Sequence, residues 1–395
     1  MTRIMWFRRD LRISDHPALL EAISGSIADD DATVLALYVI GPRTWQSMNS
    51  LQRSYLKDSL AKLNESLHGN LVIKFGDARE IVPELSNHVD AVAVHVSQSH
   101  TPHAIQRDNE ISQTLRTAGR DLLATGSAYA VAPGRVTKDD GTFYKVYTPF
   151  YKGWLKHGWR LPAGAPTQWP EWITEVKSDP FPDFEELTDV QLPTAGEVAA
   201  LERWEHFKNH GLDDYDQSRN RPDIDGTSRL STALRFGEIH PRTLLADLTD
   251  SAGHEVFRKE IAWREFYADI LFNRPDTEDD YYNPAYKGMQ YDTGAEAEHK
   301  FLAWAEGRTG FPFVDAGMRQ LRRTGWMHNR VRMVVASFLI KDLHIEWVRG
   351  AKYFEEWLLD FDPASNSHGW QWTAGCGTDA SPYYRVFNPI GQGQR

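Results

Sequence analysis

The sequence predicts an α/β domain followed by an all-α domain, and three observations support this. In residues 1–130, β-rich runs alternate with helical runs, as in a parallel sheet covered by helices. From about Glu197, apolar residues recur at helical spacing. Residues 131–195 are rich in Pro, Gly, Trp and charge and lack a clear period. We therefore expect an N-terminal Rossmann-like domain over 1–130, a long connector packed on a surface over 131–195, and a helical domain over 196–395.

The elements of the first domain can be assigned in order. Strand-like runs lie at Arg3–Phe7, Thr33–Ile40, Leu71–Phe75 and Ala91–Val96. Helical patterns lie at Pro17–Ser24, Leu51–Leu67, Ile81–Ser86 and Ile105–Thr117. No GxGxxG fingerprint follows the first strand, so the sequence does not predict a Rossmann-type dinucleotide site there.

The helical half contains three segments that Gly and Pro delimit. An amphipathic helix over Glu260–Phe272 ends shortly before a proline. A second helical block over Val314–Leu343 is interrupted at Gly325. A third helix over Lys352–Asp360 stops before Pro363, because proline disfavours the helical conformation in the residue before it.

The composition is that of an ordinary globular protein, with 41% hydrophobic and 25% charged residues. The single cysteine, Cys376, excludes an internal disulfide and a CxxC metal or redox site. The N-terminus is charged where a signal peptide needs an apolar core, and no apolar run reaches transmembrane length. We expect a cytoplasmic, monomeric protein with no membrane partner.

Charge and tryptophan are unevenly distributed. The net charge is −11, yet seven basic residues stand against three acidic residues between Asp315 and Arg349. A basic face on an acidic body is compatible with phosphate binding. Charge alone favours the alternative, a solvated helix face. Eight of the 14 tryptophans follow residue 200, which raises the question whether some are stacking platforms or redox stations.

Two short motifs carry groups suited to a polar ligand. The block Gly226–Ser231 can present hydroxyl and backbone donors to an anion at a helix start, although ordinary helix capping is the usual explanation. Glu260, Trp263 and Arg264 share one helical face, where a carboxylate, a ring and a guanidinium could line a pocket. An interhelix salt bridge beside a core Trp explains that pattern equally well.

Two further segments mix polar and aromatic residues. In Gly325–Met333, Asn329 and Met333 share a helical face. Asn is unfavourable in the middle of a helix, and a bound ligand with amide-like edges would compensate for that cost. No second His stands at chelating spacing from His328, so we expect no metal site. Residues 360–372 bring two acids, an Asn and two Trp residues into a Gly-punctuated stretch, which is typical of a site.

Five blocks resemble motifs of the photolyase/cryptochrome family and occur in the family's order. They are Trp6–Arg12, Gly226–Ser231, Trp263–Tyr267, Gly325–Arg330 and Gly369–Trp372. They cover nearly the whole chain, which resembles the class I cyclobutane pyrimidine dimer photolyases. The resemblance implies a deoxyribodipyrimidine photo-lyase, a carbon–carbon lyase whose partner is DNA containing pyrimidine dimers.

The resemblance further implies that the helical domain binds FAD. The residues implied to hold the phosphates and ribose are Tyr215, Thr227, Ser228, Arg229, Leu230 and Ser231. Those implied to lie near the flavin ring and ribose are Arg264, Arg332, Asp360 and Asp362. Asn366 is implied to face the flavin N5 atom, where Asn is the photolyase choice and supports the two-electron-reduced flavin.

The implied substrate pocket receives a flipped-out dimer. It consists of Glu260, Trp263, Asn329, Met333 and Trp372. The residues implied to grip phosphates beside the lesion are Arg219, Arg330 and Arg385. The implied chemistry is electron catalysis, in which light-excited reduced flavin passes an electron to the dimer, the two ring bonds split, and the electron returns. Trp370, Trp347 and Trp304 match a tryptophan chain from flavin to surface that reduces oxidised FAD in light.

This function has three alternatives. The (6-4) photolyases place His where this sequence has Asn329 and Met333, which favours cyclobutane dimers as the lesion. A cryptochrome-type blue-light photoreceptor, which signals without repair, is the main rival. A plain flavin oxidoreductase is the third, but no nicotinamide site is evident.

The antenna pigment is the least specified feature. Folate-type members carry an Asn-Glu pair shortly before an Arg-Asp pair. The Arg-Asp pair of this sequence is Arg107-Asp108, and His103-Ala104 stand where the Asn-Glu pair is expected. This difference argues against methenyltetrahydrofolate, and Pro102 favours 8-hydroxy-5-deazaflavin or no antenna. Relatives usually continue through further helices, so the end of the helical domain at Arg395 is expected to be short.

Overall fold

The computed structural model describes residues 1–28, 32–186, 190–383 and 385–394. Among these residues the strands are β1 (Thr2–Phe7), β2 (Thr33–Ile40), β3 (Leu71–Phe75), β4 (Ala91–Gln98), β5 (Asp121–Ser127) and β6 (Glu171–Trp172). The first helices are α1 (Pro17–Ala28), α2 (Pro42–Ser47), α3 (Ser50–Ser66), α4 (Ala78–His88), α5 (Pro102–Thr117) and α6 (Tyr147–His157).

The second half is helical throughout its regular structure. Its α-helices are α7 (Glu197–His210), α8 (Tyr215–Ser218), α9 (Ser231–Phe236), α10 (Pro241–Ala246), α11 (Ala252–Asn273), α12 (Gly294–Ala305), α13 (Pro312–Thr324), α14 (Asn329–Ser337), α15 (Trp347–Trp357), α16 (Pro363–Ala374) and α17 (Pro389–Gly393). Two 3₁₀ turns (Pro275–Glu278 and Pro284–Gly288) and one π turn (Phe338–Asp342) complete it.

The sheet has the order β3-β2-β1-β4-β5, with β6 added beside β2, and every pairing is parallel. Parallel neighbours require crossover connections, which the helices between the strands supply. The α/β-plus-α prediction and the four expected strands are therefore confirmed. Two strands were missed, because β5 is largely exposed at the sheet edge and β6 has only two residues.

The loop after β1 ties the two halves together. Arg9 Nη2 pairs with Asp362 Oδ2 at 2.9 Å, and buried Arg12 donates to the carbonyl of Gly237 at 2.9 Å. Buried Asp15 accepts from Arg242 at 2.8 Å. The Trp6–Arg12 block is thus an interdomain contact, and it delivers one guanidinium to a predicted flavin residue.

Where the structure describes it, the connector lies against both halves. Its helix α6 packs on α11, where the buried Trp154 indole donates to Glu265 Oε2 at 2.6 Å. Farther along, Trp172 pairs β6 with β2, and Phe181 packs edge-on against Trp45. The domain boundaries at residues 130 and 195 stay a prediction.

One local expectation in the helical half was wrong, and another was incomplete. Gly325 does interrupt the second block, since its φ of 64° ends α13, but Asn329 begins α14 and is not in mid-helix. The supposed cost of Asn in mid-helix therefore disappears. Pro363 follows the end of α15 as expected but also begins α16, because proline is well suited to the first turn of a helix. Asp362 caps α16 by accepting from the Ser365 amide at 3.0 Å.

Candidate active site

A cavity of about 410 Å³, here called the central cavity, lies among α11, α14, α15 and α16. Its volume is typical of small-molecule sites. The predicted residues in its wall are Arg219, Glu260, Trp263, Arg264, Asn329, Arg332, Met333, Asp360, Asp362, Asn366, Trp370 and Trp372. All five predicted substrate residues and all five predicted flavin-ring residues therefore line one space.

Helical periodicity explains this convergence. On α11, Glu260, Trp263 and Arg264 recur at spacings of three and four, and Tyr267 continues the same face. Asn329 and Met333 occupy the corresponding face of α14, with the Asn Nδ2 and Met Sδ atoms 4.0 Å apart. The third wall is α16, which the sequence did not reveal as a helix.

The polar end of the cavity is built from two carboxylates that hold arginines. Arg332 Nη2 lies 2.7 Å from Asp360 Oδ2, and Arg9 pairs with Asp362. Burial alone acts to raise the pKa of Asp362, but the charges of Arg9 and Arg264 hold that pKa well below its ordinary value. Asp362 is therefore ionised at neutral pH and gives the cavity a fixed negative group.

Two buried atoms in this wall lack hydrogen-bond partners among the described residues. They are Arg264 Nη2 and Asp360 Oδ1, one a donor and one an acceptor. A buried polar atom left unpaired costs about 1–3 kcal/mol, so their positions suit a bound ligand with both donor and acceptor edges. A flavin has such edges. The Asn366 amide donates to the Ala351 carbonyl at 3.0 Å, which fixes its orientation in the wall.

The predicted substrate end is less polar and contains one ion pair. Arg219 Nη1 lies 2.5 Å from Glu260 Oε1. Glu260 therefore does form a salt bridge, as one part of the alternative explanation of its helical face proposed. Arg264 donates instead to the Ala128 carbonyl at 3.1 Å. Burial raises the pKa of Glu260, and the Arg219 charge opposes that shift.

The residues predicted to hold phosphates and ribose are not in the wall of the central cavity. Thr227, Ser228 and Arg229 line a separate groove of about 440 Å³ beside α7. There Arg229 pairs with Asp225 at 2.9 Å and its guanidinium lies 5.0 Å from the Trp326 ring centre.

The rest of that set occupies two other environments. Leu230 is buried and precedes Ser231, which begins the six-residue helix α9. Tyr215 is buried against Phe207 and Phe257. The phosphate-binding roles of all six residues stay predictions.

The predicted electron-transfer residues form a group beneath the cavity. Trp370 is in the cavity wall and its ring centre lies 6.2 Å from that of Trp304. Trp347 belongs to the same apolar cluster. Trp304, expected toward the surface, is 0% exposed, so it does not itself meet solvent.

The predicted phosphate-binding arginines converge beside the cavity mouth. Arg330 and Arg385 line a groove of about 860 Å³ with Arg221, here called the arginine groove. Burial lowers the pKa of Arg330, and the positive charges of Arg219 and Arg385 lower it further. Mutually repelling cations of this kind are stabilised by a phosphate.

The basic segment 315–349 is otherwise dispersed by the fold. Arg319 donates to the Gly307 carbonyl at 2.9 Å, and Arg332 points into the central cavity. Arg349 is paired with Glu298. These side chains therefore do not form one continuous basic face, because helical geometry turns them in different directions.

Some residues in or behind the wall were missed by sequence reasoning. Tyr147 stacks on Trp263 and comes from the connector. Arg9 reaches the cavity-lining Asp362 from the first domain, and its place inside the Trp6–Arg12 block was the available signal. Tyr267 had a weaker signal in its helical spacing from Trp263.

Neither a metal centre nor a membrane span is found in the described ranges. Within this part of the chain, no group of three or more His, Cys, Asp or Glu side chains is placed to hold a metal ion. None of its helices combines the length and apolar content that crossing a bilayer requires.

The fold and the cavity define a two-domain protein with a polar, aromatic-lined ligand site in its helical half. A family model described as DNA photolyase matches residues 3–171, and one described as the FAD binding domain of DNA photolyase matches residues 257–395. A deoxyribodipyrimidine photo-lyase of Agrobacterium fabrum is 38% identical over 412 residues, covering 99% of this chain and 84% of the relative. The chain belongs to the DNA photolyase family.

Solved structures agree with this assignment. A class III photolyase of Agrobacterium tumefaciens superimposes with a TM-score of 0.90 at 36% identity, covering 100% of this chain and 83% of that one. A cryptochrome of Synechocystis gives a TM-score of 0.88 at 27% identity, covering 100% of this chain and 86% of that one.

Proposed function

We propose that this protein repairs cyclobutane pyrimidine dimers in DNA in a light-driven reaction that uses reduced FAD. The observation that carries the proposal is one cavity whose wall combines unpaired polar atoms at one end with Glu260, Trp263 and Trp372 at the other. A flavin and a flipped-out pyrimidine dimer need adjoining sites of these two kinds. When bound, the flavin supplies the light-excited electron that splits the dimer.

The flavin end is assigned to five residues. They are Arg264, Arg332, Asp360, Asp362 and Asn366. The free donor of Arg264 and the free acceptor of Asp360 bind the ring edge or ribose hydroxyls. Tyr215 and the 227–231 loop are proposed to hold the phosphates, on the strength of the motif alone.

The lesion end positions the dimer and stabilises charge. Trp263 and Trp372 offer ring faces for stacking, Met333 fills apolar space, and Asn329 donates to the base edge. Glu260 hydrogen-bonds a thymine edge once a DNA phosphate has drawn Arg219 away from it. Arg330 and Arg385 bind the neighbouring phosphates, and these cations offset the negative charge that develops on the dimer.

The subclass and antenna are finer assignments within the family. We propose class I on the strength of the motif pattern, and one solved relative is a class III enzyme. For the antenna we propose 8-hydroxy-5-deazaflavin over methenyltetrahydrofolate. Around buried Trp6, the guanidinium carbons of Arg8 and Arg107 lie 4.9 and 5.0 Å from the ring centre, which provides a cationic, aromatic corner at the carboxyl end of β1. Absorption and mass spectra of the released chromophore test this assignment.

A photoreactivation assay distinguishes the proposal from the cryptochrome alternative. Purified, FAD-reconstituted protein in its reduced form is mixed with dimer-containing DNA, and dimers are counted after blue illumination and after darkness. We expect dimers to disappear only in the light. Persistence of dimers in the light, with FAD bound and DNA bound, favours a photoreceptor without repair activity.

A further inference from the structure

Two aromatic routes lead away from Trp370. On one side its ring centre lies 6.2 Å from Trp304. On the other side its indole lies so close to Gly350 of α15 that a Cβ added there would overlap it. Gly350 is one helical turn from Trp347 on α15, and Trp347 and Trp370 belong to the same buried apolar cluster. Both routes begin at the central cavity. The groups at the far end of each route therefore decide which route carries positive charge away from Trp370.

The Trp347 route ends at a tyrosine with a carboxylate partner. The ring of Trp347 meets Tyr281 edge-on, with centres 5.7 Å apart. The Tyr281 hydroxyl donates to Glu346 Oε1 at 2.8 Å. Trp347 is 1% exposed and Tyr281 is 7% exposed, whereas Glu346 is exposed. The route therefore runs from the core to solvent.

The Trp304 route ends at groups that oppose oxidation. The ring centres of Trp304 and Tyr353 lie 5.5 Å apart, and the Tyr353 hydroxyl donates to the Ala305 carbonyl at 2.9 Å. A backbone carbonyl does not take a proton near neutral pH, so Tyr353 has no base at its hydroxyl in this contact. The next ring, Trp357, lies 5.3 Å from the Arg322 guanidinium, which disfavours a positive charge on it.

Proton chemistry separates the routes further. A tryptophan that has lost an electron is a cation, and it becomes neutral by losing its indole proton or by gaining an electron. The buried Nε1 of Trp347 has no hydrogen-bond partner among the described residues. The Trp347 cation therefore has no base to deprotonate it, and it stays an oxidant for its neighbour Tyr281.

We propose that Tyr281 is the terminal electron donor of the relay and that Glu346 accepts its proton. This inference rests on the proposed function, because light-excited oxidised flavin is the oxidant that removes an electron from Trp370. Trp347 then refills Trp370. One electron passes from Tyr281 to Trp347 while the phenolic proton passes to the Glu346 carboxylate. The products are neutral Trp347, a neutral tyrosyl radical and protonated Glu346, and a small thiol in solution returns the hydrogen atom.

The test uses the full chain loaded with oxidised FAD. After a blue flash, transient absorption and electron paramagnetic resonance follow tryptophan and tyrosine radicals. We expect the wild type to form a neutral tyrosyl radical, and Tyr281→Phe to lose that signal while its tryptophan radical recombines with the flavin. Tyr353→Phe is the matched control and should keep the tyrosyl signal. A signal that persists in Tyr281→Phe, or that only Tyr353→Phe removes, overturns the proposal.

The proton acceptor is tested separately at the surface residue. Glu346→Gln keeps a hydrogen-bond acceptor but removes the base, so we expect slower tyrosyl formation and a longer-lived tryptophan cation. The wild-type step should also slow in deuterium oxide. Unchanged kinetics in Glu346→Gln contradict its assigned role, since a merely structural contact is preserved by the amide.

A flavin-free arm separates this inference from the proposed function. Azide radicals generated by pulse radiolysis oxidise tryptophans in the FAD-free protein, and the transfer of that oxidation to tyrosine is recorded. Tyr281→Phe should remove the transfer and Tyr353→Phe should not. Dimer repair without any Tyr281-dependent radical overturns the relay alone, whereas Tyr281 oxidation in a protein that repairs no dimers overturns the proposed function alone.

Discussion

Tyr147 lies flat against Trp263, with ring centres 3.7 Å apart and ring planes within 6° of parallel. Tyr147 is held at both ends, since its hydroxyl donates to the Lys259 carbonyl at 2.8 Å and its backbone amide donates to Asp379 at 3.0 Å. The connector therefore sets the plane of a ring that we propose stacks on the lesion. Its length and composition alone gave no indication of this.

Removing the Tyr147 ring should weaken lesion binding. A stacked aromatic pair contributes about 0.5–1.5 kcal/mol, so Tyr147→Ala is expected to reduce affinity for dimer-containing DNA roughly 2- to 12-fold. Tyr147→Phe keeps the ring and should bind nearly as the wild type does. Equal losses in the two variants, measured by equilibrium titration, argue that the hydroxyl and not the stack supports the site.

Glu260→Ala and Asn329→Ala should lower repair per photon and leave FAD bound. Each removes a hydrogen bond to the dimer, and a bond to a charged group contributes about 1.5–3 kcal/mol, so dimer affinity should fall roughly tenfold or more for Glu260→Ala. Glu255→Ala, on the same helix but outside the cavity wall, is the control. Normal repair yields in both cavity variants, with the flavin spectrum intact, show that the pocket is wrongly assigned.

Trp370→Phe should block photoreduction of the flavin. Phenylalanine keeps an aromatic ring in the cavity wall but is much harder to oxidise than tryptophan. Repair should return when the flavin is reduced chemically, because the relay acts before the repair cycle. Illumination with and without a chemical reductant measures both steps, and a failure of chemical reduction to restore repair contradicts a relay role.

The pH dependence of stability should contain a component from Asp269. Burial raises the pKa of Asp269 to about 6 from an ordinary 3.8, although its carboxylate accepts from the Gly134 amide at 2.7 Å. Between these two pKa values the folded state binds a proton that the unfolded state has lost. The contribution of Asp269 to the free energy of unfolding therefore falls, by on the order of 2–3 kcal/mol, as the pH rises from the lower value to the higher one.

The variant Asp269→Asn isolates that component, because the amide still accepts a hydrogen bond but does not titrate. Denaturant melts between pH 4 and pH 7 should show the wild type losing stability relative to the variant as pH rises. A constant difference between the two proteins across that range indicates that Asp269 does not change its protonation there.

Periodic features of this chain could be predicted from the sequence, and features set by distant contacts could not. The spacing of Glu260, Trp263 and Arg264 placed them on one face because α11 is a regular helix. Pro363 was interpreted only as a helix end, yet proline also begins helices, so α16 and the wall it forms were missed.

Long-range partners were outside the reach of local patterns. The pairs of Arg9 with Asp362 and of Arg219 with Glu260 join different elements, so no spacing rule identifies them. Family motifs supplied the flavin-ring and substrate residues, which the structure brings together in the central cavity. The same motifs supplied residues 227–231, of which Thr227, Ser228 and Arg229 line a separate groove.

The central claim is that a reduced flavin and a flipped-out dimer occupy adjoining ends of one cavity. The fluorescence lifetime of the bound, reduced flavin tests it directly, since electron transfer to the dimer competes with emission. We predict that the lifetime shortens when dimer-containing DNA is added and not when undamaged DNA of the same sequence is added. An unchanged lifetime at saturating dimer-containing DNA contradicts the account.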